Sequence, residues 1–366
     1  MMENNTQLKE MIRSMVIDVL QGQKQEAASS QPIKQVPRGQ VEPGVFDTVD
    51  EAIRAAKAAQ ARFEDCTLAT REKVIADIRT AMRPRVQELA QKTVEETGMG
   101  RVADKVLKLN LTLDKTPGVE DLVTECETGD NGMTLYELSA YGVIGAITPS
   151  TNPAETLICN SIGMLAAGNA IFFSVHPGAK NLSRELVSEL NQVIAKSIGI
   201  ENLIVTLREP SIESAQEMML HPDVSLLVVT GGPGVVKQAL QSGKKVIGAG
   251  AGNPPAFVDE TADIKKAAQD IVLGASLDNN ILCIAEKSVV AMRQIEPQLV
   301  QEMVKVGCVL VDNQQDIQRL VDLTVLPNGT PNKQFVGKNA GVILDAAHIP
   351  YNGDPRLIIM RTPKDH

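Results

Sequence analysis

The sequence lacks tryptophan and has only 3 tyrosines, 6 phenylalanines, 4 histidines and 5 cysteines. The cysteines lie far apart with no CxxC pair, and no histidine has a second ligand at metal-binding spacing. A structural zinc site is therefore not expected. An odd, scattered set of cysteines also argues against a disulfide framework, so we expect reduced thiols. With so few aromatic residues, the walls of any ligand pocket should be mainly aliphatic.

Long apolar runs and an excess of positive charge are also missing. The longest apolar runs, such as residues 171–175, are far shorter than the roughly 20 residues that span a bilayer. No segment has the features of a secretory signal peptide. A net charge of −9 argues against a protein that neutralises nucleic-acid phosphates. We expect a cytoplasmic protein without membrane or nucleic-acid partners, long enough for two domains.

The N-terminal segment has its own pattern. Residues 1–20 contain an apolar stripe at helical spacing, which predicts an amphipathic helix over 6–20. The stripe consists of Leu8, Met11, Ile12, Met15, Val16, Val19 and Leu20. Residues 21–43 are rich in Gln, Ser, Pro and Gly and are typical of a flexible linker. An isolated helix of this length is marginal in water. It either docks on another protein or packs on its own domain or a neighbouring subunit.

The body of the chain alternates between two patterns. Residues 48–97 predict helices that end at Gly98. From about residue 134, short apolar strands alternate with amphipathic helices, which predicts a parallel sheet covered on both faces. The predicted strands are 141–148, 169–175, 202–207, 225–230 and 244–248. Such sheets bind ligands beyond the carboxyl ends of their strands.

Two glycine-rich loops are candidates for a nucleotide site. GAGAG at 248–252 resembles part of a dinucleotide fingerprint, but Asn253, Pro254 and Pro255 follow it in place of a helix. TGGPG at 230–234 follows a predicted strand and opens a predicted helix, whose free N–H groups suit a phosphate. Any tight turn between strand and helix also favours glycine, so both interpretations stay open.

Cys283 lies in the segment SLDNNILCIAEK at 276–287, between a predicted helix and a predicted strand. Functional groups are often displayed in such connections. A lone cysteine is nevertheless most often a buried, inert residue, as we expect for Cys159 and Cys308. No histidine lies nearby in sequence to act as a base. The pattern therefore leaves open whether Cys283 is a nucleophile or a core residue.

Four segments together resemble one family. SLDNNILCIAEK, PSTNPAET at 149–156, TGGPG, and KKVIGAGAGNPP at 244–255 resemble the CoA-acylating aldehyde dehydrogenases of bacterial microcompartments. These are the propionaldehyde and acetaldehyde dehydrogenases of propanediol and ethanolamine utilisation. The resemblance implies an α/β fold in which residues 44–255 form N-terminal helices and a parallel, Rossmann-type NAD-binding domain. Residues 256–366 would form a second α/β catalytic domain that is incomplete.

The resemblance also implies roles for individual residues. Cys283 would be the nucleophile that attacks a short aldehyde, propanal or acetaldehyde, and Asn152 would stabilise the oxyanion with the backbone N–H of Cys283. NAD would accept the hydride and coenzyme A would take the acyl group. His176 replaces a lysine that hydrolytic relatives place near the adenosine ribose. The implied cofactor-binding residues are Thr148, Pro149, Ser150, Thr151, His176, Pro177, Gly178, Thr230, Gly231, Gly232, Gly250 and Ala251.

Gly248 occupies the position where hydrolytic aldehyde dehydrogenases have a water-activating glutamate. Without that carboxylate, a thioester on Cys283 should survive until a thiol arrives. This favours transfer to CoA over release of a free acid. The alternatives are a non-acylating aldehyde dehydrogenase, an acyl-phosphate reductase of the same fold, or a non-catalytic cargo or assembly fragment of a microcompartment.

The two ends of the chain also carry expectations from the resemblance. Residues 6–20 resemble the peptide that targets such enzymes to the microcompartment lumen, which implies a shell protein as partner. The chain stops at RLIIMRTPKDH, well before chains of this family end. We therefore expect a fragment whose missing part would carry a glutamate at the nicotinamide ribose and a strand that pairs between subunits. The whole protein is expected to be a homo-oligomer.

Overall fold

The computed structural model describes residues 42–250 and 252–361. The predicted helix 6–20 and nearly all of the predicted linker 21–43 lie outside the described residues. None of the helices in these two ranges is both long and apolar enough to cross a membrane.

Four helices lie between residues 49 and 115, before most strands of the sheet, as the sequence predicts for most of this stretch. They are α1 (Val49–Glu64), α2 (Leu68–Met82), α3 (Val86–Thr97) and α4 (Val102–Lys115). Thr48 and Thr67 cap α1 and α2, because their side-chain oxygens accept backbone N–H groups of the first turn. Gly98 ends α3 in the left-handed conformation, with φ of 66°. The predicted stop at Gly98 is confirmed.

A six-stranded parallel sheet organises the next segment. Its strands are β1 (Val45–Phe46), β4 (Val143–Ile147), β5 (Ala170–Ser174), β6 (Ile204–Leu207), β7 (Val224–Thr230) and β8 (Lys245–Ala249). Their order in the sheet is β1-β6-β5-β4-β7-β8, with every pairing parallel. The connecting helices are α5 (Pro153–Ala166), α6 (Lys180–Ile198), α7 (Ile212–Leu220) and α8 (Pro233–Leu240). The five predicted strands and the parallel α/β architecture are confirmed.

Burial differs between the centre of the sheet and its β8 edge. All residues of β4, β5 and β6 are buried, as expected for a sheet covered on both faces. Four of the five residues of β8 are exposed, including Ile247. The prediction of a fully covered sheet is therefore correct for the central strands and wrong for β8, which lies at the edge.

Strand order reverses beside β4. The chain runs from β4 through β5 to β6 on one side of the sheet and then crosses to β7 and β8 on the other. In parallel sheets, ligands bind in the crevice beyond the carboxyl ends of the strands at such a switch point. Residues 148–152 follow β4 and residues 231–232 follow β7, so the topology brings both predicted segments to this crevice.

An antiparallel hairpin lies between α4 and β4. It comprises β2 (Glu125–Gly129) and β3 (Gly132–Tyr136), and all ten of its residues are exposed. Cys126 is one of them.

The segment after β8 forms small parallel sheets packed with helices. Its elements are β9 (Pro255–Val258), α9 (Ile264–Ser276), β10 (Ser288–Ala291), α10 (Glu296–Lys305), β11 (Cys308–Val311), α11 (Gln314–Thr324), α12 (Ala340–Ala346) and β12 (Leu357–Met360). Strand β10 pairs with β9, and β11 pairs with β12. Apolar residues of α9, α10 and β9 form one core, and residues around α11 and α12 form another. A sharp turn at residues 277–280 continues from α9 toward Cys283.

The five cysteines differ in exposure. Cys308 is buried in β11, as predicted, and burial raises the pKa of its thiol to about 11. The prediction that Cys159 is buried is wrong, because its thiol is exposed on α5. Helix α5 buries positions such as Leu157, Ile158 and Ser161, whereas Cys159 lies on another face of the helix.

Candidate active site

Asn152 lies between β4 and α5. It is the residue before Pro153, the first residue of the helix, but its side chain does not cap the helix. Its Oδ1 instead accepts a hydrogen bond from Lys108 Nζ, and its Nδ2 donates to Thr151 Oγ1 at 3.2 Å. The amide is therefore held by contacts on both of its atoms and is directed away from the helix that it precedes.

The turn before Cys283 has an unusual backbone. Asp278, Asn279 and Asn280 all have left-handed conformations, with φ of 51°, 54° and 62°. Asp and Asn tolerate this region better than other residues with a side chain, because their short polar groups bond locally. The sequence Asp-Asn-Asn at 278–280 therefore favours a sharp turn at the end of α9.

Both asparagine side chains hold this turn in place. Asn279 Nδ2 donates to Gly337 O and to Asn339 Oδ1, each at 2.9 Å, while its Oδ1 accepts from Arg101 Nε at 2.8 Å. Asn280 Nδ2 donates to Ala275 O at 2.6 Å and to Glu286 O at 3.0 Å. These bonds tie the residues before and after Cys283 to each other and to neighbouring segments.

A group of buried charges lies behind the turn. Asp278 Oδ2 is 2.9 Å from Lys105 Nζ, and both side chains are fully buried. Lys108 Nζ also bonds to Asp278 and is 3.2 Å from Glu155 Oε1. Asp278 accepts the backbone N–H of Arg101 through Oδ1 at 3.0 Å. We call Lys105, Lys108, Glu155 and Asp278 the buried charge cluster.

The two lysines of the buried charge cluster differ in their pKa shifts. Burial lowers the pKa of Lys105, and the attraction of Glu155 and Asp278 does not offset it. Burial also acts to lower the pKa of Lys108, but Glu155 and Asp278 outweigh it, so the pKa of Lys108 is raised. Lys108 is therefore an ammonium ion at neutral pH. It can donate hydrogen bonds but accept none.

The segment after β8 packs directly on Cys283. A Cβ added to Gly252 would lie 2.1 Å from Cys283 O, so only glycine permits this approach. Lys287 N donates to Pro254 O at 3.1 Å. Lys287 Nζ donates to the carbonyl oxygens of Leu282 at 2.8 Å and Ala285 at 3.1 Å, and burial lowers its pKa. Cys283 is exposed and is not part of the core, so its role as a nucleophile stays a prediction.

The predicted cofactor residues lie at the carboxyl edge of the sheet. Thr148 to Thr151 follow β4, Pro177 and Gly178 follow β5, and Gly231 and Gly232 follow β7. The loops are joined to neighbouring strands, because Thr148 N donates to Ser174 O and Gly231 N to Ala249 O, each at 3.2 Å. His176 Nδ1 accepts the N–H of Gly178 at 3.0 Å. Thr230 and Gly250 lie at the ends of β7 and β8, whereas Ala251 lies outside the described residues.

This edge fits a dinucleotide in two respects. Gly232 begins α8 without a side-chain cap, so no side chain occupies the N–H groups of the first turn, where a phosphate would bind. The buried hydroxyl of Thr148 has no hydrogen-bond partner within the described part of the chain. By contrast, no group of three or more His, Cys, Asp or Glu side chains in that part is arranged to hold a metal ion.

Sequence reasoning did not identify the buried charge cluster, Gly252 or Lys287. One signal was available, since Lys105 and Lys108 are three residues apart and therefore share a helix face.

The chain belongs to the aldehyde dehydrogenase family, whose model matches residues 19–316. It is 46% identical over 357 residues to the propanal dehydrogenase (CoA-propanoylating) of Citrobacter freundii, covering 97% of this chain and 74% of that protein. It is 43% identical over 344 residues to the acetaldehyde dehydrogenase (acetylating) of Salmonella typhimurium, covering 92% and 72%. The chain thus spans about three quarters of the length of these relatives. The resemblance stated from the sequence is confirmed.

Solved structures give the same relationship. A propionaldehyde dehydrogenase from the fucose utilisation microcompartment of Clostridium phytofermentans aligns with a TM-score of 0.86 and 47% identity, over 89% of this chain and 74% of that one. The propionaldehyde dehydrogenase of Rhodopseudomonas palustris, solved with bound CoA and an acylated cysteine, aligns with a TM-score of 0.87 and 47% identity. That match covers 89% of this chain and 75% of the other.

Proposed function

We propose that the protein is an NAD-dependent, CoA-acylating aldehyde dehydrogenase that converts a short aldehyde, propanal or acetaldehyde, to its acyl-CoA. The observation that carries this proposal is an exposed thiol, Cys283, on a backbone held by Gly252 and by the turn at 278–280. Relatives that catalyse this reaction are 43–46% identical to the chain, which supports the assignment.

The residues of the chain have distinct roles in this reaction. Cys283 attacks the aldehyde carbonyl as a thiolate, which forms a tetrahedral thiohemiacetal on the enzyme. The Nδ2 of Asn152 and the backbone N–H of Cys283 donate hydrogen bonds to the oxyanion. When bound, NAD provides the acceptor for the hydride that leaves this carbon. The resulting thioester on Cys283 is attacked by the thiol of CoA, and Cys283 departs as a thiolate.

Gly248 supports transfer to a thiol over hydrolysis. It lies within β8, at the position where the resemblance places the water-activating glutamate of hydrolytic aldehyde dehydrogenases. Glycine provides no carboxylate to position and deprotonate a water molecule. The thioester therefore persists until CoA enters. This distinguishes the proposal from a non-acylating aldehyde dehydrogenase.

Cofactor binding is assigned to the carboxyl edge of the sheet. The N–H groups at the start of α8, with Gly231 and Gly232, would bind the pyrophosphate of NAD. Thr148 to Thr151 would form the wall beside the nicotinamide, with Gly250 and Ala251 on the β8 side. His176, Pro177 and Gly178 follow β5 and would lie near the adenosine ribose.

We also propose the cellular setting. Residues 6–20 would bind a shell protein, and the enzyme would act inside a bacterial microcompartment in the cytoplasm as a homo-oligomer. The structural relative from Clostridium phytofermentans comes from such a compartment. Residues 44–255 would be the cofactor-binding half and 256–366 the catalytic half.

Mass spectrometry tests the chemistry. Propanal or acetaldehyde with NAD should add a propionyl or acetyl group to Cys283, and CoA should remove it as acyl-CoA. Cys283→Ser should give no adduct, whereas Cys159→Ser, which changes another exposed thiol, should behave as the wild type. Steady formation of free acid without CoA would favour a non-acylating enzyme. Absence of both an adduct and turnover in the wild type would favour a non-catalytic role.

A further inference from the structure

Lys108 takes no part in the proposed bond changes, but it contacts Asn152 and the turn that precedes Cys283. Its side chain is 8% exposed, and its Nζ bonds to Asn152 Oδ1 and to Asp278. It therefore links the oxyanion donor at the start of α5 to the turn that leads into Cys283.

The ammonium group of Lys108 determines which atom of the Asn152 amide lies toward it. An amide has one acceptor atom and one donor atom, whereas an ammonium only donates. The bond from Lys108 therefore requires Oδ1 on its own side and places Nδ2 on the other. One Nδ2 hydrogen goes to Thr151 Oγ1 at 3.2 Å, and the second remains available to a developing oxyanion.

The Lys108 ammonium group also bonds to Asp278, in the segment that leads to Cys283. Asp278 begins the left-handed turn at 278–280, five residues before Cys283. Helix α4 carries Lys108 between the two segments, and Lys105, one turn earlier, bonds to Thr151 O at 2.6 Å and to Asp278 at 2.9 Å. Two lysines on one face of α4 thus contact both the segment that contains Asn152 and the turn before Cys283.

We infer that Lys108 is a positioning residue that orients Asn152 so that its Nδ2 donates to the oxyanion formed on Cys283. This inference rests on the proposed function in one respect, namely that Asn152 stabilises an oxyanion at Cys283. Lys108 itself does not touch the substrate.

Two reactions of the same thiol separate this role from general disruption. A p-nitrophenyl propionate ester acylates Cys283 through a tetrahedral oxyanion, with release of p-nitrophenolate. Iodoacetamide alkylates the thiolate with loss of iodide, without an oxyanion. Lys108→Met should slow acylation by roughly 10²-fold, the usual effect of losing one oxyanion donor, and leave alkylation nearly unchanged. Equal slowing of both reactions would overturn the inference.

A double-mutant cycle tests whether Lys108 acts through Asn152. Asn152→Ala should also slow acylation selectively. Adding Lys108→Met to Asn152→Ala should then have no further effect, because the group that Lys108 orients is gone. Full additivity of the two effects would overturn the inference. Lys115→Met is the matched control, since it makes the same change at an exposed position of α4.

The ester and iodoacetamide reactions test the role of Lys108 separately from the proposed dehydrogenase activity. The ester and iodoacetamide reactions need neither NAD, aldehyde nor CoA, which are tested separately on the wild type. If Lys108→Met does not fold, Lys108→Gln replaces it. The glutamine amide can both donate and accept, so it no longer fixes which atom of the Asn152 amide faces it, and the ratio of acylation to alkylation should again fall. An unchanged ratio would overturn the inference. So would a wild type whose Cys283 reacts with iodoacetamide but not with the ester.

Discussion

Gly252 illustrates how one missing side chain shapes the site. The backbone after β8 approaches the carbonyl of Cys283 so closely that a Cβ would overlap it, at 2.1 Å. The obstacle is backbone and not the end of a flexible side chain, so the cysteine segment itself would have to move. Small displacements of a reacting group have large effects on rate.

We predict that Gly252→Ala lowers the rate of acyl-adduct formation on Cys283 by roughly 10²-fold, because the nucleophile is displaced. The matched control is Gly163→Ala, where a Cβ meets no atom within 4 Å and the residue lies in α5. That variant should keep the wild-type rate. Adduct formation followed by mass spectrometry measures both, and a wild-type rate in Gly252→Ala would contradict the prediction.

Single residues also show where sequence patterns mislead. Helix α4 buries Lys105 and Lys108 together with Leu109 and Leu113, although charged side chains are rarely buried. The spacing of the two lysines puts them on one helix face, but their burial depends on carboxylates from distant segments, Glu155 and Asp278. Conversely, Cys159 was predicted to be buried because α5 is apolar, and it is exposed.

At the scale of elements, an ion-pair network joins α3 and α6. Arg85, just before α3, contacts Glu88 at 2.7 Å and Glu185 of α6 at 2.9 Å. Lys92 bonds to Glu185 at 2.6 Å and to Glu88 at 2.7 Å. The hydrogen bond from Arg85, followed by that from Lys92, lowers the pKa of Glu88 to about 2.

We predict that Glu88 contributes to stability in acid. Its folded pKa lies below the ordinary value of 4.5, so its contribution is present above pH 4.5 and is lost as pH falls toward about 2. Glu88→Gln should therefore flatten the fall in Tm over this interval. The difference should be small and should shrink in 1 M salt, because the carboxylate is half exposed. Thermal melts against pH measure it, and identical curves for both proteins would refute it.

Local sequence patterns predict most of the helices and strands, as particular segments show. Strands β4, β5 and β6 are short apolar runs bounded by glycine, proline or asparagine, and the helices between them carry apolar stripes. The exposure of β8 was not predictable in this way. Its sequence resembles that of the buried strands, and its exposure depends on its tertiary surroundings at one edge of the sheet.

At the scale of the whole molecule, the buried charge cluster connects the two halves of the chain. Lys105, Lys108 and Glu155 come from the segment before β9, and Asp278 comes from the segment after it. Removing one partner of a buried ion pair strongly destabilises the fold, because the remaining charge stays buried without an opposite charge beside it.

We predict that Asp278→Asn lowers the free energy of unfolding by roughly 3–5 kcal/mol. Asparagine tolerates the left-handed backbone at this position as well as aspartate does, so the loss reports the missing charge and not strain. Asp130→Asn, at the exposed tip of the β2–β3 hairpin, is the control and should change stability little. Chemical denaturation measures both. A loss no larger than that of the control would show that the cluster does not stabilise the fold.

The sequence by itself determined the class of fold, the five strands β4 to β8 with the helices between them, and the family, because these depend on local periodicity and short motifs. It also singled out Cys283 and Asn152. Only the tertiary structure decided that Cys283 is exposed, that Gly252 packs on its carbonyl, and that Lys108 bonds to both Asn152 and Asp278. These contacts join residues more than thirty positions apart. They arise from packing between elements, which no local pattern encodes.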